Sequence, residues 1–478
     1  MRTGGGKKAV LSRRRGRVVA PGLAVDGDVS ADLAERVLAS SGATDRSTGR
    51  MEILLLVAAL PMFGQVFHYL IDAGPFYYLS KAWPFLTLPL ALHGAFRLSG
   101  RHHPLYAIVL GYVIGITPAL SMLWLGNAFV DAFGTTIKVW PITYYFSVLS
   151  TLALLRPSPD LLRRILLSFG VATFLLMWLL WLIVPRTHYA VDATQSKLFM
   201  YELERGYRIY MPMVFGVLSL LYLVRRMSVS PRLLYVALYL AGLMTMVLIF
   251  KQRISILALL LISAWVLYRN LPKLPRSLVT LGLGIGVLVL AITVLIPAVE
   301  ALEKSLGNSL SIRARSLSLA FDYMLADVWR WLFGVGSITR FSAVTLFDLF
   351  GTDHFYLADI GWVGIVFEYG VVGALLIFGL YVAGLRDAYG RRARAPERQL
   401  ADPRAEAMAA ALGDYVLFLL AASAVYSAVF TPGELATVTA LLVYLRGFWS
   451  TQAAMGPRTT LQPDEHVPVP GRGGVVRL

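Results

Sequence analysis

Long apolar stretches separated by short polar connections make up most of this chain. A membrane-spanning helix needs roughly 20 mainly apolar residues, and about twelve stretches are of that kind. The pattern therefore predicts an all-α, polytopic membrane protein whose membrane domain covers residues 51–449. The predicted spans are 52–71, 77–96, 104–125, 138–155, 165–184, 209–225, 233–250, 254–268, 278–297, 357–384, 412–430 and 434–449.

The connections between these spans fall into two alternating sets. One set is rich in arginine and comprises 97–103, 156–164, 225–232, 269–276 and 386–404. Basic connections are retained in the cytoplasm, so this set is predicted to be cytoplasmic. The other set, 72–75, 126–137, 185–208, 251–253, 298–356 and 431–434, is then extracytoplasmic. An even number of spans places both termini in the cytoplasm.

The two ends of the chain differ from the membrane domain in composition. Residues 1–50 are polar and basic, and they lack the apolar core of a signal peptide. Residues 450–478 are polar, with proline and glycine near their end. Both segments are predicted to be disordered.

Composition agrees with a membrane protein and restricts its chemistry. The 478 residues are 57% hydrophobic and 15% charged. The net charge of +16 is accounted for by the cytoplasmic connections, so it needs no nucleic-acid partner. The chain has no cysteine, and its seven histidines show no HExxH-type spacing. The sequence therefore predicts neither a metal site nor a bound cofactor.

The turn 251–253 contains two cations where positive charge is usually scarce. Lys251 and Arg253 flank one glutamine between two predicted spans. An arginine fork binds phosphate oxygens at two points, so this turn is a candidate site for an anionic substrate. The alternative is that both side chains extend to lipid headgroups.

Two predicted outer connections are long and basic. Segment 185–208 contains Arg186, His188 and Arg208, and segment 298–356 contains Arg313, Arg315, Arg330 and Arg340. A helix beginning at a Ser311 cap and running to about Trp331 is predicted in the second segment, lying on the membrane surface. On a helix Arg313 and Arg315 point in different directions, so one of them is expected to face a given ligand. The alternative is a solvated helix face.

Three residues near the end of segment 298–356 are candidate general bases. His354 has a side chain that titrates near neutral pH, and Asp353 and Asp359 are alternatives to it. A base here would accept the proton of a sugar hydroxyl. The alternative for His354 is an ordinary interfacial histidine beside aromatic residues, and His188 is a further candidate.

Glycines recur from Gly361 to Gly373, at the entrance and within a predicted span. Small residues allow membrane helices to approach closely, so helix packing explains these glycines. Helix packing does not explain the carboxylates of Asp359 and Glu368. Ionisable groups inside a span are costly, so they indicate either a partner or a function.

Three motifs in order resemble the O-antigen polymerase and ligase superfamily, which builds bacterial surface polysaccharides. The first is Arg253 feeding a leucine-rich helix. The second is Arg313 or Arg315, then an aromatic-rich helix, then Gly334-Val335-Gly336. The third runs from His354 to Gly370-Val371-Val372-Gly373. Family members often have His-Asn before the second glycine pair, whereas this chain has His354-Phe355-Tyr356, which is more similar to the exopolysaccharide-polymerase branch.

The resemblance implies a membrane glycosyltransferase of the GT-C-like type that needs no metal or other cofactor. Its substrate would be an undecaprenyl-diphosphate-linked oligosaccharide in the bacterial inner membrane. Arg253, Lys251, Arg313 and Arg315 would hold the diphosphate, with Arg340, Arg186, His188 and Arg208 as further substrate contacts. Partners would include membrane lipid, a flippase and a chain-length regulator of the same pathway.

Three functions are compared at this point. The first is a polymerase that joins repeat units with inversion at the anomeric carbon. The second is a ligase that transfers the glycan to another acceptor. The third is a transporter or flippase of lipid-linked glycans, which would be expected to show repeats, broken helices and ionisable groups near mid-membrane.

Overall fold

The computed structural model describes residues 49–68, 70–98, 100–191, 196, 198–202, 205–270, 307–338, 344–352, 355, 357–390, 402–427 and 431–454. Most of these residues are helical. The helices are α1 (Arg50–Phe63), α2 (Pro75–Leu86), α3 (Leu88–Arg97), α4 (His103–Leu125), α5 (Phe129–Gly134), α6 (Tyr144–Leu155), α7 (Pro159–Ile183), α8 (Val214–Val229), α9 (Leu233–Phe250), α10 (Arg253–Asn270), α11 (Gly307–Leu325), α12 (Val328–Phe333), α13 (Leu346–Phe350), α14 (Gly361–Tyr389), α15 (Pro403–Ala422) and α16 (Pro432–Ala454).

Within the described ranges, six helices are long and apolar enough to cross a membrane, namely α4, α7, α9, α10, α14 and α15. The predicted membrane protein is confirmed at this level, and the count of about twelve spans stays a prediction. Predicted span 278–297 lies outside the described residues. Each of the other predicted spans overlaps a helix, although several are shorter or divided.

The predicted span 77–96 is divided into α2 and α3 at Thr87. Pro89 follows at the second position of α3, where its missing N–H removes no helical hydrogen bond. The Thr87 hydroxyl donates to the carbonyl of Trp83 at 2.8 Å at the end of α2. Two short helices therefore occupy the place of one long one.

A small β-hairpin interrupts the otherwise helical fold within segment 185–208. Strands β1 (Phe199–Glu202) and β2 (Gly206–Ile209) pair in antiparallel register, and Ala190 pairs with Met200. Gly206 has a φ of 67°, which suits the tight connection between the strands. The all-α prediction is wrong at this point, because β-prone residues flank a turn that the apolar pattern does not reveal.

Contacts link connections that belong to the same predicted set. In the basic set, His102 lies 2.6 Å from Asp387. In the other set, the N–H of Leu198 donates to Asp72 at 2.9 Å. These contacts divide the helical bundle into a basic end and an opposite end. Which of them faces outward stays a prediction.

Helices α11 and α12 form a compact segment at the opposite end. Ala320 and Met324 are fully buried in an apolar cluster with Leu125 and Phe367. Phe321, Leu325, Val328, Trp329 and Leu332 stay exposed. Part of the predicted apolar face thus packs against the protein, and the rest of it is exposed. The predicted start at a Ser311 cap is wrong, because α11 begins at Gly307.

Candidate functional site

Helix α14 is interrupted at Gly370, whose φ of 66° and ψ of 178° break the helical ladder. Segment 334–336 lies against this interruption. The N–H groups of its second and third residues donate to the carbonyls of Phe367 and Glu368, at 2.9 and 3.1 Å. A Cβ atom at Gly334 or Gly370 would lie 2.5 or 2.3 Å from backbone oxygens of the other segment. The close approach therefore requires glycine in both segments.

A buried ion pair stabilises this junction. Glu368 is 5% exposed, and its Oε1 accepts a hydrogen bond from Lys138 Nζ at 2.5 Å. The same oxygen accepts weaker hydrogen bonds from the backbone N–H of Ile338 at 3.4 Å and from the Ser337 hydroxyl at 3.5 Å. One carboxylate thus connects the segment before α6 with the segment after α12. Sequence reasoning noted Glu368 but did not find Lys138 as its partner.

The structure brings Arg313 of the second motif close to Asp359 of the third. Asp359 lies in a short 3-10 turn, Leu357–Ile360, just before α14. Burial raises the pKa of its carboxyl group, and the nearby positive charge of Arg313 partly opposes this. The Nε of Arg313 is buried and has no hydrogen-bond partner among the described residues. A cation with a spare donor therefore stands beside a half-buried carboxylate.

The other predicted residues of this region have different outcomes. Arg315 is exposed on α11 and forms no hydrogen bond or ion pair with the residues that the structure describes. Arg340, Asp353 and His354 lie outside the described residues, so their predicted roles stay predictions. Arg330 lies against aromatic rings, 5.3 Å from Trp124 and 4.5 Å from Tyr323. Packing accounts for the position of Arg330.

The turn between α9 and α10 contains Lys251 and Arg253, and these two cations have different surroundings. Lys251 has a φ of 56°, which side-chain-bearing residues rarely adopt and which often marks functional sites. Its Nζ donates to the Arg205 carbonyl at 3.0 Å and lies 5.7 Å from the Trp181 ring. Burial lowers the pKa of Lys251. Arg253, at the start of α10, is exposed and makes no hydrogen bond or ion pair within the described ranges.

The three predicted residues of segment 185–208 also differ in their surroundings. Arg208 is 6% exposed, pairs with Glu202 and lies 5.3 Å from the Tyr210 ring. Arg186 is exposed and lies over the Tyr207 ring at 5.3 Å, and His188 is exposed beside Thr187. Arg208 is thus fixed in place, whereas Arg186 and His188 are accessible at the surface.

The turn between α15 and α16 contacts both groups of predicted residues. On one side, the Trp362 indole, at the start of α14, donates to the Ser423 hydroxyl at 3.0 Å. On the other side, Tyr426 is close enough to Arg208 to interact with it electrostatically. Whether Arg253 lies close enough to the arginines of α11 to share one diphosphate stays a prediction.

The glycines of the third motif have a more specific role than helix packing. Gly361 and Gly370 have φ values of 54° and 66°, so a left-handed backbone and close backbone contacts explain them. The helix-packing prediction is wrong for these two positions. It agrees with Gly373, where a Cβ atom would lie 2.7 Å from the Tyr112 ring.

No group of three histidine or acidic side chains converges as a metal site would require in the part of the chain that the structure describes. Compared with the models of known protein families and with curated proteins, the chain has no match. The class that the fold defines is a polytopic helical membrane protein, and both of its ends have exposed cations. The family resemblance stays a prediction that rests on the three motifs.

Proposed function

We propose that the chain is an integral membrane glycosyltransferase. It polymerises undecaprenyl-diphosphate-linked oligosaccharide repeat units, for exopolysaccharide or O-antigen synthesis, at the outer face of the bacterial inner membrane. The observation that carries the proposal is the proximity of Arg313 and Asp359. These residues come from two different motifs and supply the two groups that the reaction needs, a cation and a base. Arg253 and Arg315 are exposed and add positive charge without a carboxylate partner among the described residues.

The reaction is a single displacement at the anomeric carbon of the donor. A hydroxyl oxygen of the acceptor forms the new glycosidic bond, and the bond between the anomeric carbon and the phosphate oxygen breaks. The lipid diphosphate leaves with the bonding electrons, and the hydroxyl proton passes to the base. Negative charge grows on the leaving group in the transition state, so fixed guanidinium groups lower the barrier.

The surroundings of Asp359 suit a general base. Burial raises the pKa of its carboxyl group and so makes the carboxylate a stronger proton acceptor than a solvated one. The nearby positive charge of Arg313 opposes this rise. His354 and Asp353 remain alternative bases within the same proposal.

One observation favours the transport alternative. Helix α14 is broken at Gly370, next to the buried pair of Lys138 and Glu368. Broken helices with ionisable groups are typical of transporters, where they bind substrate or coupling ions. Here the backbone groups freed by the break are bonded to segment 334–336, which favours a structural role for the break.

Purified protein in lipid vesicles separates these functions. A synthetic lipid-diphosphate oligosaccharide is supplied, and products are separated by size and weighed by mass spectrometry. Polymerase activity gives a ladder of lengthened lipid-linked chains, whereas ligase activity needs a second acceptor and gives single additions. Movement of unchanged substrate between leaflets, with no longer product, would identify a transporter and exclude the proposed reaction.

A further inference from the structure

Polar side chains from four parts of the chain come together at the opposite end of the bundle, and their meeting place is called the recess below. The end of α1 contributes Gln65, the segment after β2 contributes Tyr210, the turn before α10 contributes Gln252, and the start of α16 contributes Glu434. Gln65 Oε1 accepts hydrogen bonds from the N–H groups of Gly433 and Glu434, at 2.8 and 3.2 Å. Tyr210 interacts with Gln252 through a hydrogen bond and with Glu434 through charge.

Two buried hydrogen-bond donors of this recess have no acceptor among the described residues. Gln65 is 4% exposed, yet its Nε2 has no hydrogen-bond partner among the described residues. The Nε of Arg208, which is 6% exposed, also lacks a partner there. A buried donor without a partner costs roughly 1–3 kcal/mol, so such groups indicate a ligand or water that accepts from them.

The recess also offers an acceptor. Glu434 Oε2 accepts a hydrogen bond from the Tyr415 hydroxyl at 2.6 Å, and no described residue donates to Oε1. Glu434 is partly exposed, so this oxygen is accessible. Tyr210 and Tyr426 are also partly exposed and bring ring faces to the same place. The recess thus combines donors, an acceptor and aromatic surface.

The charge of the recess distinguishes between classes of ligand. Arg205 and Arg208 share Glu202 as their ion-pair partner, and Glu434 adds a second carboxyl group. The two arginines are thus matched by two carboxyl groups, so a phosphate would meet a site without a formal excess of positive charge. A sugar ring is different, because its hydroxyls donate and accept and its C–H face packs on aromatic rings.

The backbone around the recess supports a functional role. Gln65 and Lys251 have φ values of 53° and 56°, and Lys251 directly precedes Gln252. A left-handed backbone at a residue with a side chain is costly and is common at ligand sites. Here it holds a glutamine from each of two turns in position at the recess.

We propose that this recess binds an uncharged sugar ring of the acceptor glycan, with Glu434 accepting a hydrogen bond from one of its hydroxyls. The proposal rests on the proposed glycosyl transfer and adds the place where the acceptor lies. The Arg313 and Asp359 region would hold the donor on the other side of the turn between α15 and α16. Glu434 is thus a residue of the acceptor site and not the base.

Binding is tested with the full-length protein in lipid nanodiscs. The probe is a phosphate-free oligosaccharide repeat, cut from the surface polysaccharide of the source strain, and its affinity is measured by isothermal titration calorimetry. Glu434→Gln should weaken binding by up to roughly tenfold, because the carboxylate acceptor is replaced by a weaker, neutral amide oxygen. Tyr426→Ala should weaken it as well, without removing any core residue. Glu406→Gln, at the basic end, is the matched control and should bind like wild type.

Three outcomes separate this inference from the proposed function. If wild type transfers sugar while Glu434→Gln and Tyr426→Ala bind the probe normally, the recess is overturned and the function stands. If wild type binds the probe through Glu434 but lengthens no glycan, the recess stands and the function fails. If inorganic pyrophosphate displaces the probe from wild type, the recess is an anion site and the inference is overturned. In the transfer assay, Glu434→Gln should raise KM for the acceptor and leave KM for the donor unchanged.

Discussion

The charged residues at the two ends of the bundle differ in what surrounds them. At the basic end, Arg225 forms two hydrogen bonds with Asp414, at 2.5 and 2.6 Å, and Arg446 forms two with Glu406. At the opposite end, Arg253 and Arg315 are exposed and have no carboxylate partner among the described residues. The basic end also has exposed arginines without a carboxylate partner among the described residues, such as Arg101 and Arg404, so the contrast lies between individual arginines. Paired arginines such as Arg225 hold helices together, whereas exposed ones such as Arg253 and Arg315 are accessible to a ligand.

The division is not complete, and the exceptions are informative. Lys138 and Arg208 also lie at the opposite end, and both have carboxylate partners. Each of these pairs fixes a segment next to unpaired cations, namely segment 334–338 and the β-hairpin. Paired charges at this end therefore support the surface from which the unpaired charges project.

The largest contrast is expected from chemical labelling of the two ends. The chain has no cysteine, so single cysteines report one position each. Thr187→Cys and Ala314→Cys, both at exposed positions of the opposite end, should react with an impermeant maleimide in intact spheroplasts. Arg101→Cys, exposed at the basic end, should react only after lysis. The reverse pattern would invert the topology and remove the donor site from the outer surface.

A large loss of stability is expected when the paired arginine of the basic end loses its carboxylate. Asp414 is 1% exposed and also accepts a hydrogen bond from the Tyr389 hydroxyl. Asp414→Ala should cost about 3 kcal/mol, because a largely buried guanidinium is left without a partner. The measurement is thermal unfolding of the detergent-solubilised protein. Glu406→Ala, which breaks a more exposed pair, should cost about 0.5 kcal/mol, and equal losses in both variants would contradict the ranking.

Loss of activity without loss of stability is expected at the opposite end. Arg253→Ala and Arg315→Ala remove exposed side chains that have no hydrogen-bond or ion-pair partner in the part of the chain that the structure describes, so thermal unfolding should change little. Polymer formation should fall to background, because the leaving diphosphate loses its cations. Arg253→Lys and Arg315→Lys should recover only part of the rate, since a point charge replaces a two-pronged donor. Full activity in both alanine variants would eliminate the diphosphate role of these arginines.

The smallest effect is expected in the pH dependence of transfer. Arg313 lowers the pKa of Asp359, which burial raises. If the carboxylate is the base, activity falls as pH drops through this pKa, and Arg313→Gln should move that fall to higher pH. The rate of each variant is measured from pH 5 to 9 at saturating donor. An acidic limb that stays unchanged in both Arg313→Gln and Asp359→Asn would assign the base elsewhere.

The sequence predicted most helices because the bilayer imposes a length and a composition on each span. It also assigned Arg313 and Asp359 to one region, because Arg313 lies in the predicted connection 298–356 and Asp359 lies at the start of the span that follows it. It missed the β-hairpin, whose strands are short and lie in a polar segment. It also treated Gly370 as a packing residue, because a glycine at a helix break and one at a helix contact look alike in sequence.

The recess around Glu434 could not be predicted for a different reason. Its residues come from four parts of the chain that are far apart in sequence, and no pattern within any part marks them. The available signal was local: a carboxylate directly after Pro432 and Gly433, at the start of an apolar stretch. Only the tertiary contacts show that Gln65 and Gln252 lie beside it.

The break in α14 has a consequence for how the protein is made. The carbonyls of Phe367, Glu368 and Tyr369 accept from segment 334–336 and from the Tyr112 hydroxyl, at 2.8 to 3.1 Å. Backbone groups without partners cost several kcal/mol in hydrocarbon. All of these donors precede α14 in the chain, so the ribosome delivers them before the helix that they satisfy. A circularly permuted chain that began at α14 would insert this helix ahead of its donors, and its biogenesis should be slower.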